Sequence, residues 1–223
     1  GGFMAGTLLE TSSDLRWFAD QGYLVVSAGY SLFSEGNPSW HKAPQDVACA
    51  LSWLNDNVTR YGGDINKLAI LGDSAGGNLA LNLAYAAALQ TEQAHCDAVA
   101  PVPSAVIVQY PAVDPLAIYE YGYPIPGFEP KMLVSGYIGG DPYQLVPRVE
   151  AVSSYRYLSA QAPATLIFSP RQDGLVPAWT VQRFANYARL AGADVEVISI
   201  PFANHVYNQL AANSVGNQLR RSV

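Results

Sequence analysis

The sequence predicts a single α/β domain over residues 1–223, with a doubly wound and mostly parallel sheet. Two observations predict it. Short apolar runs alternate along the chain with segments of helical periodicity, the pattern of strand–helix units. A Gly-x-Ser-x-Gly turn, Gly72-Asp73-Ser74-Ala75-Gly76, lies between one such run and one such segment, where an open α/β sheet carries its chemistry.

The elements follow in order. Residues 23–28, Tyr-Leu-Val-Val-Ser-Ala, form a compact apolar run with two β-branched valines and read as a buried strand. Asp46 opens a segment that places Val47, Leu51, Leu54 and Val58 on one helical face, and Gly62-Gly63-Asp64 ends it. Residues 67–71 are the next strand. Residues 75–89 are rich in Ala and Leu and uncharged, as suits a helix buried against a sheet. Residues 105–108, 165–168 and 195–198 supply three more strands. Pro177 stands at a first helical turn, Val181, Phe184 and Ala188 share a face, and Gly192 closes that helix. Residues 111–162, rich in Pro, Gly and Tyr, exceed an ordinary connection. They read as a cap-like excursion over the C-terminal edge of the sheet.

Composition bounds the function. Half of the residues are hydrophobic and 13% are charged, against ~25% in ordinary soluble domains. A deeply buried sheet, an apolar mouth and a covered surface all fit that figure. The net charge of −6 leaves no basic stripe to neutralise phosphates, which excludes nucleic acid as a partner. Arg220 and Arg221 read as a solvated tail. Cys49 and Cys96 share no metal-ligand spacing and read as buried thiols, with one disulfide of an exported protein as the alternative. No apolar run reaches the ~18 residues of a membrane span. The chain opens on Gly1, so no targeting segment is on view. The cytoplasm is the expected compartment and export its alternative; oligomeric state is open.

Ser74 is the candidate nucleophile. The turn around it lifts the hydroxyl out of the sheet, and its flanking glycines are expected because a Cβ would strike the neighbouring strand and helix. The helix that follows offers its N-terminus to developing negative charge. Asp73 and Asn78 read as structural hydrogen-bonding residues around the turn. A serine hydroxyl needs a base, and the base needs an orienting carboxylate. His205, after the last strand, is the candidate base, whereas His95 reads as a solvated loop residue and His41 lies far from any strand end. Asp173, after the strand at 165–168, is the candidate acid. Asp114 is the alternative, with a turn-capping role more in keeping with its setting. Gly1 and Gly2, with the N–H of Ala75, are candidates for an oxyanion hole.

Together these residues resemble the α/β-hydrolase family, in its hormone-sensitive-lipase-like and carboxylesterase branch. The resemblance runs over nearly the whole chain. It is most specific at Tyr61-Gly62-Gly63-Asp64 and at Leu71-Gly72-Asp73-Ser74-Ala75-Gly76-Gly77-Asn78, with a weaker match over residues 21–27. It implies an α/β-hydrolase fold and a triad of Ser74, Asp173 and His205. It also implies an oxyanion motif, His-Gly-Gly-Gly, of which Gly1-Gly2-Phe3 is the end. Gly29-Tyr30-Ser31-Leu32 departs from the family's Asp-Tyr-Arg-Leu. The family's strand before the oxyanion glycines has no counterpart here, so the chain is expected to be part of a longer protein that lacks its N-terminal strands. The expected reaction is hydrolysis of a small-molecule carboxylic ester through an acyl-enzyme, without metal or cofactor, short-to-medium acyl groups being favoured. Tyr119, Tyr121, Tyr123 and Phe128 are candidate substrate contacts. Amide or peptide hydrolysis by the same triad is one alternative; a catalytically silent binding protein on this fold is the other.

Overall fold

A computed structural model describes residues 1–7, 12–91, 100–209 and Gln218. His95, Cys96, Arg220 and Arg221 lie outside the described residues. Four strands form one parallel sheet in chain order: β1 (Ala69–Asp73), β2 (Ala105–Gln109), β3 (Ala164–Pro170) and β4 (Val195–Ile200). Ile70 pairs with Val106, Val106 with Thr165, and Thr165 with Val195, so the strands run in near alignment. The carboxyl ends of all four therefore meet at one edge. Parallel pairing requires long crossovers, and helices supply them.

Of these, α3 (Ala75–Ala88) follows β1 directly and is buried along nearly its whole length. Its lack of charge is what permits that burial. The Tyr85 hydroxyl lies 3.0 Å from Thr165 Oγ1, which gives this deeply placed phenol a partner on β3. Helix α2 (Lys42–Asn57) packs on α3 through Ala48, Leu51 and Leu83. It begins four residues before Asp46, with Pro44 in its first turn, and Gly62 in the left-handed region ends the short 3₁₀ turn behind it. A further helix, α7 (Ala178–Leu190), turns Val181, Phe184 and Ala188 inward as their spacing predicts, and its chain reverses at Gly192.

One predicted strand is corrected. Residues 23–28 adopt no strand pairing, and Tyr23, Leu24 and Val26 are exposed. Apolar β-branched sequence favours extended backbone, but a strand also needs a neighbour for its N–H and C=O groups. Among the described residues none pairs with this run, and β1 forms one edge of the sheet with Leu71 exposed. One tie does hold the segment just beyond it: Ser31 N donates to Asp46 Oδ2 at 2.7 Å.

The cysteine reading is corrected too. Cys49 is disulfide-bonded and is no free thiol. No helix among the described residues is long and apolar enough to cross a membrane.

The excursion at 111–162 holds three short helices, α4 (Pro115–Tyr121), α5 (Pro130–Ile138) and α6 (Val146–Val152). Its two ends are tied together over α3. Asn78 Nδ2 donates to the carbonyls of Ala112 (2.9 Å) and Val152 (3.0 Å), one at each end. Asn82 Nδ2 also donates to Val152 O, and Ser154 N donates to Val113 O. A long loop whose ends meet on buried side chains costs little more than a short one. Asn78→Ala leaves the buried Ala112 carbonyl without its donor and Val152 O with Asn82 alone, a loss of ~1–3 kcal/mol. Thermal unfolding of Asn78→Ala should therefore begin several degrees below wild type; an unchanged Tm overturns this account of the excursion.

Candidate active site

Ser74 is the first point at which local sequence and strain meet. It sits between β1 and α3 with φ 54° and ψ −116°, a backbone that a non-glycine residue adopts at a cost of ~1–3 kcal/mol. Three backbone bonds hold it there. Ser74 N donates to Gln109 O at 2.9 Å, and Ser74 O accepts from Asn78 N at 3.0 Å and Ala112 N at 3.2 Å. Space around the turn explains two of its glycines. A Cβ on Gly72 would stand 2.3 Å from Gly76 O, and one on Gly77 would stand 3.1 Å from Gly72 O and from Pro111. Gly76 departs from the expectation, because a Cβ there meets nothing within 4 Å. The motif's second glycine is thus not required by packing; Gly77 carries that constraint.

The structure brings Ser74, His205 and Asp173 into one hydrogen-bonded chain. Ser74 Oγ lies 2.9 Å from His205 Nε2, and His205 Nδ1 lies 2.8 Å from Asp173 Oδ2. All three are buried. Asp173 is aimed by its own turn: Oδ1 accepts from Leu175 N (3.0 Å) and Val176 N (2.9 Å), leaving Oδ2 for the imidazole. An ionised carboxylate only accepts. His205 Nδ1 therefore carries the proton, and Nε2 is the acceptor facing the serine hydroxyl.

The base is placed by the end of β4. Parallel pairing of β3 and β4 continues into the two turns, with Arg171 N donating to Ile200 O and Gln172 N to Ala203 O, each at 2.9 Å. Asn204 Oδ1 then accepts from both His205 N (2.7 Å) and Gly174 N (3.0 Å), bridging base turn and acid turn. The Tyr110 ring, fully buried, lies 4.5 Å from the imidazole, centroid to centroid. Asp114 belongs elsewhere. It caps α4 through Ala117 N and pairs with Arg183 at 2.5 Å. His41 is exposed at the start of α2.

A narrow slot opens beside Ser74. Gly2, Phe3, Ser74 and Ala75 line it with Ala112, Pro115, Ile118, Leu133, Val134, Tyr137, Leu175 and Val176. Its volume is about 30 Å³, room for a few small groups, since one water occupies ~10–15 Å³ of such space. Phe3 and Tyr137 stack at 3.7 Å and close one wall. Burial pushes the Tyr137 hydroxyl well above its ordinary pKa, with Tyr30 and Tyr157 adding to the shift, so the ring remains a neutral wall.

Gly2 is buried with φ 60°, and a Cβ there would run into Leu133 and Phe128. Among the described residues, the N–H groups of Gly2, Phe3 and Ala75 donate to no protein acceptor. Gly1 is exposed, its amine donates to Ala5 O, and it does not line the slot.

The four aromatic candidates stand outside this slot. Tyr121 and Tyr123 line a separate open cleft of about 640 Å³, together with Asp173, Gly174, Trp179 and Arg171. Tyr119 packs edge-on to Tyr143. Phe128 lies against Gly2 from outside. One turn of helix explains the shift: Pro115 and Ile118 occupy the face of α4 toward Ser74, and Tyr121 falls at the helix end beyond it. Apolar residues, mostly aliphatic, form the slot, and their spacing, Pro115 with Ile118 and Leu133 with Val134 and Tyr137, was the available signal.

The BD-FAE family model matches residues 1–187. Esterase LipQ of Mycobacterium tuberculosis is 27% identical over 194 residues, 85% of this chain and 44% of that protein. Ethyl acetate hydrolase of Pseudomonas putida is 27% identical over 225 residues, 95% of this chain and 65% of that protein. This chain thus spans less than two thirds of either relative. Among solved structures, the esterase Est2 of Thermogutta terrifontis superposes with a TM-score of 0.78 at 22% identity, over 100% of this chain and 75% of that one. The superposition establishes the shared α/β-hydrolase fold.

Gly72→Ala and Gly76→Ala separate the two roles of the turn. The first should lower Tm sharply or abolish folding, because backbone stands where the methyl goes. The second should leave Tm unchanged or raise it, Ala being the better helix former by up to ~1 kcal/mol. Equal effects in thermal melts would overturn the packing account.

Proposed function

The chain belongs to the BD-FAE family, within the carboxylesterase branch of the α/β-hydrolases, and from that premise we propose that it hydrolyses small carboxylic esters through an acyl-enzyme on Ser74. The observation that carries the reading is the buried chain Asp173–His205–Ser74 ending beside an apolar slot. His205 Nε2 takes the Ser74 proton as Oγ attacks the ester carbonyl. The N–H groups of Gly2 and Ala75 stabilise the oxyanion, supported by their place on the slot and their unengaged donors. Gly1 is left out of this set, because it is exposed and does not line the slot. The imidazolium is stabilised by Asp173 and then protonates the leaving alcohol. In the second half, His205 takes a proton from the water that attacks the acyl carbonyl, and returns it to Ser74 Oγ as the Oγ–acyl bond breaks and the acid leaves.

The slot is the acyl site. Its volume supports the short end of the acyl range, acetyl and propionyl, with Leu133 and Tyr137 as the limiting walls. The disulfide at Cys49 favours an oxidising compartment over the cytoplasm.

A fluorophosphonate probe should label the protein, and Ser74→Ala should abolish both labelling and turnover, with kcat lower by about 10⁴-fold or more. Near-wild-type turnover in Ser74→Ala would refute the scheme, and absence of labelling would leave a silent fold. p-Nitrophenyl acetate should be cleaved in preference to p-nitroacetanilide; the reverse order makes the protein an amidase. Among p-nitrophenyl esters, acetate and propionate should exceed octanoate, and Leu133→Ala should move the optimum to longer chains. A wild type that prefers octanoate removes the slot as the acyl site.

A further inference from the structure

Asp73 precedes the nucleophile, yet its carboxylate serves the other end of the triad. Oδ2 accepts from Asn208 Nδ2 at 2.8 Å and from Gln209 Nε2 at 3.3 Å, and the Tyr110 hydroxyl lies 3.3 Å from it. Oδ1 accepts from Gln109 Nε2 at 3.2 Å, and Gln109 Oε1 in turn accepts from the Tyr207 hydroxyl at 2.7 Å. Tyr110 also hydrogen-bonds Asn208 Oδ1. Three consecutive residues after the base, Tyr207, Asn208 and Gln209, are therefore drawn onto the ends of β1 and β2.

The turn that carries His205 needs such an anchor. Phe202 (φ 60°) and Val206 (φ 54°) both hold left-handed backbone on either side of the histidine. For a β-branched residue such as Val206 that conformation is a true outlier, and it persists only where surrounding contacts impose it. On the preceding side, Asn204 ties the turn to the acid loop; on the following side, the ties run to Asp73 and Gln109. Tyr110 adds the last link, since its ring lies against the imidazole while its hydroxyl joins the same network.

We propose that Asp73 is a positioning residue: its carboxylate holds the 206–209 turn and the Tyr110 ring so that His205 Nε2 stays on Ser74 Oγ. This rests on the Ser74 hydrolase reading. An ionised acceptor suits the place because several donors converge there, and charge-assisted bonds are the stronger ones. An amide at position 73 would bring a donor into a cluster of donors, and the turn would relax.

The test is steady-state hydrolysis of p-nitrophenyl acetate with Tm recorded for each variant. Asp73→Asn should lower kcat by about 10²-fold, the scale of a 1 Å misplacement, with KM within about twofold of wild type. Combining Asp73→Asn with Asn208→Asp reverses donor and acceptor across the same contact and should restore kcat to within about tenfold of wild type. Wild-type kcat in Asp73→Asn overturns the proposal, as does a double variant no faster than the single one. If Asp73→Asn does not fold, Asn208→Ala decides: a folded Asn208→Ala with wild-type kcat overturns it, and a lowered kcat at constant KM supports it. A wild type that neither hydrolyses the ester nor takes the fluorophosphonate label fails the hydrolase reading itself, a result distinct from all of these.

Discussion

Ser74 is held in left-handed backbone at the junction of β1 and α3, and the rest of the site is arranged around that strain. No serine chooses φ 54° in isolation. The conformation persists because Ser74 N and O are both bonded across the sheet edge, and because Gly72 and Gly77 let strand and helix approach more closely than side chains allow. The same contacts reach into the excursion through Ala112 and Pro111. A single turn thus couples the sheet edge, the buried helix and the covering loop. Loosening any of the three releases the nucleophile.

Around that point the sheet acts as a ruler. Parallel strands in near alignment deliver Asp73, Tyr110, the Asp173 turn and the His205 turn to one edge. Side-chain bonds then refine what the sheet positions. Asp173 is aimed by two backbone donors, Asn204 joins the acid and base turns, and the Asp73 cluster receives the chain beyond His205. The slot is built differently, by apolar packing. Phe3 stacked on Tyr137, with Leu133 and Val134 beside them, leaves little volume next to Ser74. Polar bonds orient Ser74, His205 and Asp173, and packing sets the volume of the slot beside them.

How far the sequence was legible depended on the range of the interaction. Strand, glycine turn and helix at 69–88 were readable because the turn imposes its demands on adjacent residues. His205 and Asp173 were readable because chemistry restricts the residue types, and the strands before them were already marked. Residues 23–28 misled because a compact apolar run reports a tendency to burial and says nothing about a ladder partner. The aromatic residues at 119–128 lie outside the slot for a related reason: composition does not say which face of a short helix meets Ser74.

By itself, the sequence determined the strand–helix rhythm, the chain order of Ser74, Asp173 and His205, and the turn at Ser74. Each of these depends on residue type and near neighbours. Only the tertiary structure decided that Gly77, and not Gly76, is the packing glycine, that Asp114 caps a helix, and that Pro115, Ile118, Leu133 and Val134 wall the slot with Phe3 and Tyr137. It also decided that the Asp73 carboxylate meets Asn208 and Gln209, in the turn that follows His205. Those outcomes depend on which distant segments come together. That is set when the sheet aligns its strand ends and the excursion closes over α3, and no local pattern in the chain encodes it.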